Sequence, residues 1–116
     1  MSDLDDLVPA WLTLPELAEQ LGIDISRARQ LVRDRQVLAL RRGPNNVLSV
    51  PERFVTHGQL LKGLPGVLTL LADAKYGDEE AVRWLFTDDA LPGSPVDALA
   101  ENRGTEVKRR AQALGF

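Results

Sequence analysis

Apolar residues recur along this chain in two rhythms, and the switch between them lays out its architecture. Leu14, Leu17, Ala18 and Leu21 stand three and four residues apart, which predicts an amphipathic helix. Thr13, with Glu16 three residues on, reads as a capping box, Pro15 occupies the first turn, and Gly22 stops the helix. A second helix, capped by Asp24 or Ser26, is expected to run to about Gln36, with Ala28, Leu31, Val32 and Arg35 on one stripe. Two short helices joined by a glycine-bearing turn predict a helix-turn-helix unit.

The period then shortens. Val37-Leu38-Ala39-Leu40 and Val47-Leu48-Ser49-Val50 are β-prone runs separated by Gly43-Pro44-Asn45-Asn46, a turn sequence, so a β-hairpin is expected there. Pro51 ends its second strand and opens a short helical turn over 52–55, while Gly58 and Gly63-Leu64-Pro65-Gly66 mark a joint. Beyond it the helical rhythm returns. Val67, Leu68, Leu70, Leu71 and Ala74 form one stripe, and Asp78-Glu79-Glu80 is an acidic first turn before Ala81, Val82, Trp84, Leu85 and Phe86. Trp84 and Phe86, two residues apart, cannot share a helix face, and Trp84 is expected to point inward. Ser94 caps a short helix opening at Pro95, and a last helix starts at Arg103 or Gly104 with Val107, Ala111 and Leu114 apolar. The expected fold class is mainly α: a winged helix-turn-helix with a short two-stranded β-hairpin, then a small helical C-terminal domain. The expected divisions are a flexible acidic tail over 1–8, the winged unit over 9–62 and the helical domain over 63–116.

Composition narrows the chemistry. The chain has 116 residues, no cysteine and one histidine, His57, which excludes disulfide scaffolds, cysteine-ligated metals and Cys–His nucleophile pairs. No apolar run approaches the roughly 20 residues of a membrane helix. The start, Met-Ser-Asp-Leu-Asp-Asp, lacks the basic region of a secretory signal, so a cytoplasmic location is expected. No dinucleotide fingerprint, phosphate loop, nucleophile elbow or zinc-protease motif occurs. Asp78-Glu79-Glu80 and Asp88-Asp89 read as helix caps and first-turn charges before acid–base pairs, and His57 has no carboxylate at ligand spacing. The chain is therefore expected to be no enzyme, with no cofactor and no metal.

Charge changes the picture most. The net charge of −3 and pI near 5.1 argue against nucleic acid only as averages. Residues 24–62 hold eight basic and three acidic residues, a net +5, between a leader at −5 and a helical half at −3. Such a basic zone is the footprint of a phosphate-bearing partner, although an arginine-rich helix is also a common solvated face. Ala18 midway along the first helix, Gly22 in the turn, and Leu17, Leu21, Ile23, Ala28 and Leu31 as anchors match the DNA-binding helix-turn-helix pattern over Leu14–Arg33. The outer face of the second helix then carries Ser26, Arg29, Gln30 and Arg33, with Arg27 flanking. Arginine suits guanine, glutamine suits adenine, and serine suits a phosphate or a base. Arg27, Arg35, Arg41 and Arg42 are expected to neutralise phosphates, with Asn45 and Asn46 at the wing tip. Charges at a hairpin end also blunt an exposed strand edge.

The helix-turn-helix and wing over 9–62 are followed by Trp84-Leu85-Phe86-Thr87, by Leu91-Pro92-Gly93-Ser94-Pro95-Val96-Asp97-Ala98-Leu99 and by Glu106-Val107-Lys108-Arg109-Arg110-Ala111-Gln112-Ala113-Leu114. Together they resemble a family of small actinobacterial winged-helix DNA-binding proteins with a helical C-terminal domain, whose mycobacterial type is the substrate of a serine/threonine protein kinase. The resemblance implies sequence-specific binding of double-stranded DNA and transcriptional regulation. Members carry the phosphorylated threonine in an N-terminal tail; here Thr13 is the first threonine and only Ser2 precedes it among hydroxyl residues, so that feature is not carried over. The same C-terminal segment is similar to the toxin-binding domain of certain helix-turn-helix antitoxins, which implies the alternative of a protein partner held by the C-terminal helices. A homodimer on paired half-sites is compatible with either reading, and no membrane partner is expected.

Overall fold

Helix α1 (Asp3–Leu7), strand β1 (Trp11–Thr13), and helices α2 (Leu14–Leu21) and α3 (Ile25–Arg33) open the chain. The structure is a computed structural model that describes residues 3–87 and 93–114. Local chemistry sets the ends of α2. The Glu16 N–H donates to Thr13 Oγ1 at 3.3 Å, and the Thr13 N–H donates to Glu16 Oε1 at 2.8 Å, closing the expected capping box. At the far end Gly22 takes φ 70°, and the Ile23 N–H reaches back to the Ala18 carbonyl at 3.0 Å. That left-handed turn favours glycine because a Cβ there meets the following carbonyl.

Of the two candidate caps for α3, Asp24 serves: its Oδ1 accepts from the Arg27 N–H at 2.8 Å, and Ser26 lies inside the helix. The helix is shorter than its apolar stripe suggests. Arg35 turns to φ 55°, and the Gln36 N–H bonds the Leu31 carbonyl at 2.9 Å, so the chain leaves the helix after Arg33. Arg35 thereby stands where a glycine usually closes this kind of cap.

Strands β2 (Leu40–Arg42) and β3 (Val47–Pro51) form the wing, joined by residues 43–46. Val37 to Ala39 are not strand, although Val37 and Leu38 are buried; the expected first strand begins only at Leu40. The sheet also has a third strand. β1 pairs antiparallel with β3, Leu12 opposite Val50, giving the order β1-β3-β2. Its three residues are too few to show a period of two in the sequence; pairing with β3 decides them. A short 3-10 turn follows over Glu52–Phe54, as expected after Pro51. Strands β4 (Val55–Thr56) and β5 (Gln59–Leu60) then make a small hairpin around His57 and Gly58, at φ 51° and 75°. His57 is an exposed residue of that turn.

Helices α4 (Leu64–Asp73), α5 (Asp78–Phe86), α6 (Pro95–Ala100) and α7 (Gly104–Ala113) complete the chain. Ser94 caps α6 in a second side-chain capping box with Asp97. Helix α4 packs on α7, and α6 bridges α5 and α7. Asp88, Asp89, Leu91, Pro92 and Phe116 lie outside the described residues.

Two expectations are corrected by tertiary packing. The leader, expected as a flexible tail, forms α1 and docks on α5, with Leu4 fully buried and Val8 at 2 % exposure. Two apolar residues four apart are enough to anchor one helical turn once a complementary surface exists. On α5 it is Phe86 that is buried, its ring centroid 5.8 Å from that of Phe54, while Trp84 is half-buried. Phe86 shares its face with Val82 and Leu85, both fully buried, and itself meets Phe54 of the winged unit.

A single hydrophobic core runs through both halves, from Leu4 and Leu17 through Phe54 to Leu85 and Val107. Phe54–Phe86 and the Arg53–Asp97 ion pair join winged unit to helical half, and α1 of the leader docks on α5. The helices therefore hold the winged unit rather than trailing behind it.

Candidate nucleic-acid interface

On α3 the spacing of the buried residues decides what faces out. Ala28 is fully buried against the rest of the helix-turn-helix and Leu31 and Val32 are partly buried, so the opposite side is turned to solvent. Ser26, Arg29, Gln30 and Arg33 occupy that side at steps of three, one and three residues, and all four are exposed; Arg27 is exposed beside them. The structure thus gathers five of the expected residues on one helical surface.

Gln30 sits at the centre of a small network there. Its Nε2 donates to Asp34 Oδ1 at 2.9 Å, and its Oε1 accepts from Arg33 Nη2 at 3.1 Å. The amide is held in one orientation, yet one N–H and one lone pair remain for an outside partner. A side chain so prepared can offer a donor and an acceptor together, the pattern that an adenine edge requires.

The wing supplies a second basic surface. Asn46 turns to φ 53° and donates its N–H to the Gly43 carbonyl at 3.1 Å, closing the tip. Arg41, exposed, donates from Nη1 to the Asn46 carbonyl at 3.2 Å, which fixes the guanidinium at the tip and leaves further N–H groups outward. Arg42 lies over the Trp11 ring, 4.9 Å from its centroid, tying β2 to β1 through a cation–π contact. Asn45 and Asn46 are exposed at the tip.

Arg35 stands apart from this group. Its Nη1 pairs with Asp78 Oδ1 at 3.1 Å, at the start of α5, so the guanidinium is turned toward the helical half. Two residues at the surface escaped the sequence reading. Ile25, the first residue of α3, is 39 % exposed, and Val47, opposite Arg42 in the wing, is 43 % exposed. The helical spacing gave no sign of this for Ile25, because Ile25, Ala28 and Val32 stand at i, i+3 and i+7; Ile25 is exposed because it stands at the very start of the helix.

The surface is electrostatically simple. None of the arginines on α3 is buried, and its N-cap carboxylate, Asp24, is occupied by the helix amide of Arg27. Among the described residues no cluster of histidine, aspartate or glutamate could hold a metal ion, and no helix is long and apolar enough to cross a membrane. What the arrangement offers is a convex, cationic helix with amide and hydroxyl groups, flanked by a cationic hairpin: a surface for phosphates and base edges.

Comparison with known proteins agrees with that geometry. Residues 3–55 match the winged helix-turn-helix domain of the DNA-binding protein Rv2175c, and residues 61–115 match the Rv2175c C-terminal domain of unknown function. The chain is 42 % identical over 117 aligned positions to the DNA-binding protein Rv2175c of Mycobacterium tuberculosis, covering 89 % of this chain and 79 % of that one. The NMR structure of Rv2175c superimposes with a TM-score of 0.81 at 38 % identity, covering 92 % of this chain and 82 % of that structure. The chain belongs to the actinobacterial winged helix-turn-helix family of Rv2175c.

Proposed function

We propose that this protein binds double-stranded DNA sequence-specifically and acts in the cytoplasm as a transcriptional regulator, not as an enzyme. The observation that carries the reading is the exposed face of α3, where Ser26, Arg29, Gln30 and Arg33 stand together above a buried Ala28. A helix so exposed fits the major groove, with Arg29, Gln30 and Arg33 at base edges. Arg27, Arg41 and Arg42 neutralise phosphates on either side, and Asn45 and Asn46 approach the backbone from the wing tip. The DNA-binding name of the Mycobacterium tuberculosis relative supports the same partner.

Selection of bound duplexes from a random pool at a fixed salt concentration tests the reading. Enrichment of one sequence motif is the expected result; a pool that stays random after repeated rounds would refute sequence-specific binding. If the protein binds as a homodimer, the enriched motif contains two half-sites about 34–36 Å apart, one helical turn. Transcription from a reporter carrying that motif, with and without the protein, then tests regulation.

A further inference from the structure

Among the described residues, Ile25 and Val47 are the large apolar side chains left exposed, and both lie on the elements assigned to DNA. Leu31 and Val32 of the same helix pack against the core, whereas Ile25 is 39 % exposed. Isoleucine is branched and stiff, so its exposed surface is presented in nearly one conformation.

Position narrows what could cover it. Ile25 precedes Arg29 by four residues, so the two stand one above the other at the edge of the outer face. The first turn of a helix ordinarily attracts a phosphate, but here the Asp24 carboxylate already occupies the Arg27 N–H and carries a negative charge. The Arg27 backbone N–H is therefore not free for a phosphate, and the N-terminal residues of a groove-bound helix are the ones that reach base edges. In the major groove, the apolar feature of a base edge is the methyl group on C5 of a pyrimidine.

We propose that Ile25 reads a pyrimidine C5-methyl group in the major groove. The inference rests on α3 lying in that groove, as proposed above. The methyl belongs to thymine or to 5-methylcytosine; the chemistry is shared, and the two sources are separable by experiment.

The test uses the full chain and a selected duplex in which each thymine in turn is replaced by uracil, which removes only the methyl. Anisotropy titration should find one position where uracil weakens the unsubstituted protein about fourfold, the amount expected for one buried methyl-sized group. Ile25→Ala should bind the thymine duplex more weakly by a similar factor and be indifferent to uracil at that position. Val47→Ala, on the wing, should keep the thymine preference. In a second arm each cytosine is replaced by 5-methylcytosine. Tightening there, absent in Ile25→Ala, assigns the methyl to 5-methylcytosine. Thermal melts of Ile25→Ala, whose side chain lies outside the core, confirm that it folds.

The proposal is overturned if no base substitution affects the unsubstituted protein more than Ile25→Ala. Failure of the underlying reading looks different: the unsubstituted protein then shows no sequence preference on any duplex, and both assignments fall.

Discussion

Arg35 Nη1 lies 3.1 Å from Asp78 Oδ1, so the residue that ends the α3 cap is tied to the first turn of α5. The two side chains are 41 % and 49 % exposed, so water screens the pair. Its removal by Arg35→Ala should change stability by no more than about 1 kcal/mol. The same variant should leave the salt dependence of DNA binding unchanged. Arg27→Ala, by contrast, should reduce the slope of log affinity against log salt by about 0.9, the signature of one lost phosphate contact. Titrations at several salt concentrations separate the two residues; equal slopes for Arg27→Ala and the unsubstituted protein would remove Arg27 from the interface.

The N-terminal segment is a structural element. Leu4→Ala should destabilise the protein by about 2–5 kcal/mol, the range for a fully buried leucine. Deleting residues 1–8 should lower the thermal midpoint further, because Val8 leaves the core as well. Calorimetry checks both, and unchanged midpoints would show that α1 contributes nothing to the core.

Helix α3 depends on its N-terminal cap. Asp24→Ala removes the acceptor for the Arg27 N–H and should cost about 0.5–2 kcal/mol in chemical denaturation. Asp24→Ser, which can still cap, should recover most of that loss.

Acid should loosen the joint between the winged unit and α6. Burial pushes the Asp97 carboxyl up, but hydrogen bonds from Arg53 and from the Ser94 backbone and side chain, with the Arg53 charge, outweigh it and hold the carboxyl below its ordinary 3.8. A carboxyl lowered in the folded state stabilises fully above its unfolded value, and the contribution is lost as pH falls through the folded value. Thermal midpoints of the unsubstituted protein and Asp97→Asn should therefore differ near neutral pH and converge once pH falls well below 3.8. A gap that persists in acid would contradict the pairing.

What the sequence made legible was what neighbours in the chain decide. Thr13 with Glu16, Gly22 and Ser94 act within three or four residues, and each does in the structure what its spacing implied, as does Asp24, one of the two caps the spacing allowed for α3. The exposed group on α3 followed from the Ala28 stripe in the same way. Features that depend on distant partners were hidden. Trp11–Thr13 is a strand only because β3 lies beside it, and Leu4 is buried only because α5 receives it. Phe86 is buried where it meets Phe54, while Trp84 packs against the core only in part. Arg35 had the composition of a phosphate ligand, but Asp78, 43 residues away, decides where it points.

The central claim is that the α3 face, rather than the positive charge of the chain in general, recognises DNA. Anisotropy titration of a selected duplex with Arg29→Ala/Arg33→Ala and with Lys108→Ala/Arg109→Ala, a pair of exposed cations on α7, tests it most directly. Both variants lose two positive charges. The α3 variant should bind at least about tenfold more weakly, since each base contact by arginine contributes about 1–3 kcal/mol, while the α7 variant stays close to the unsubstituted protein. Equal affinity of the α3 variant and the unsubstituted protein, or an equal loss in both variants, would contradict the account.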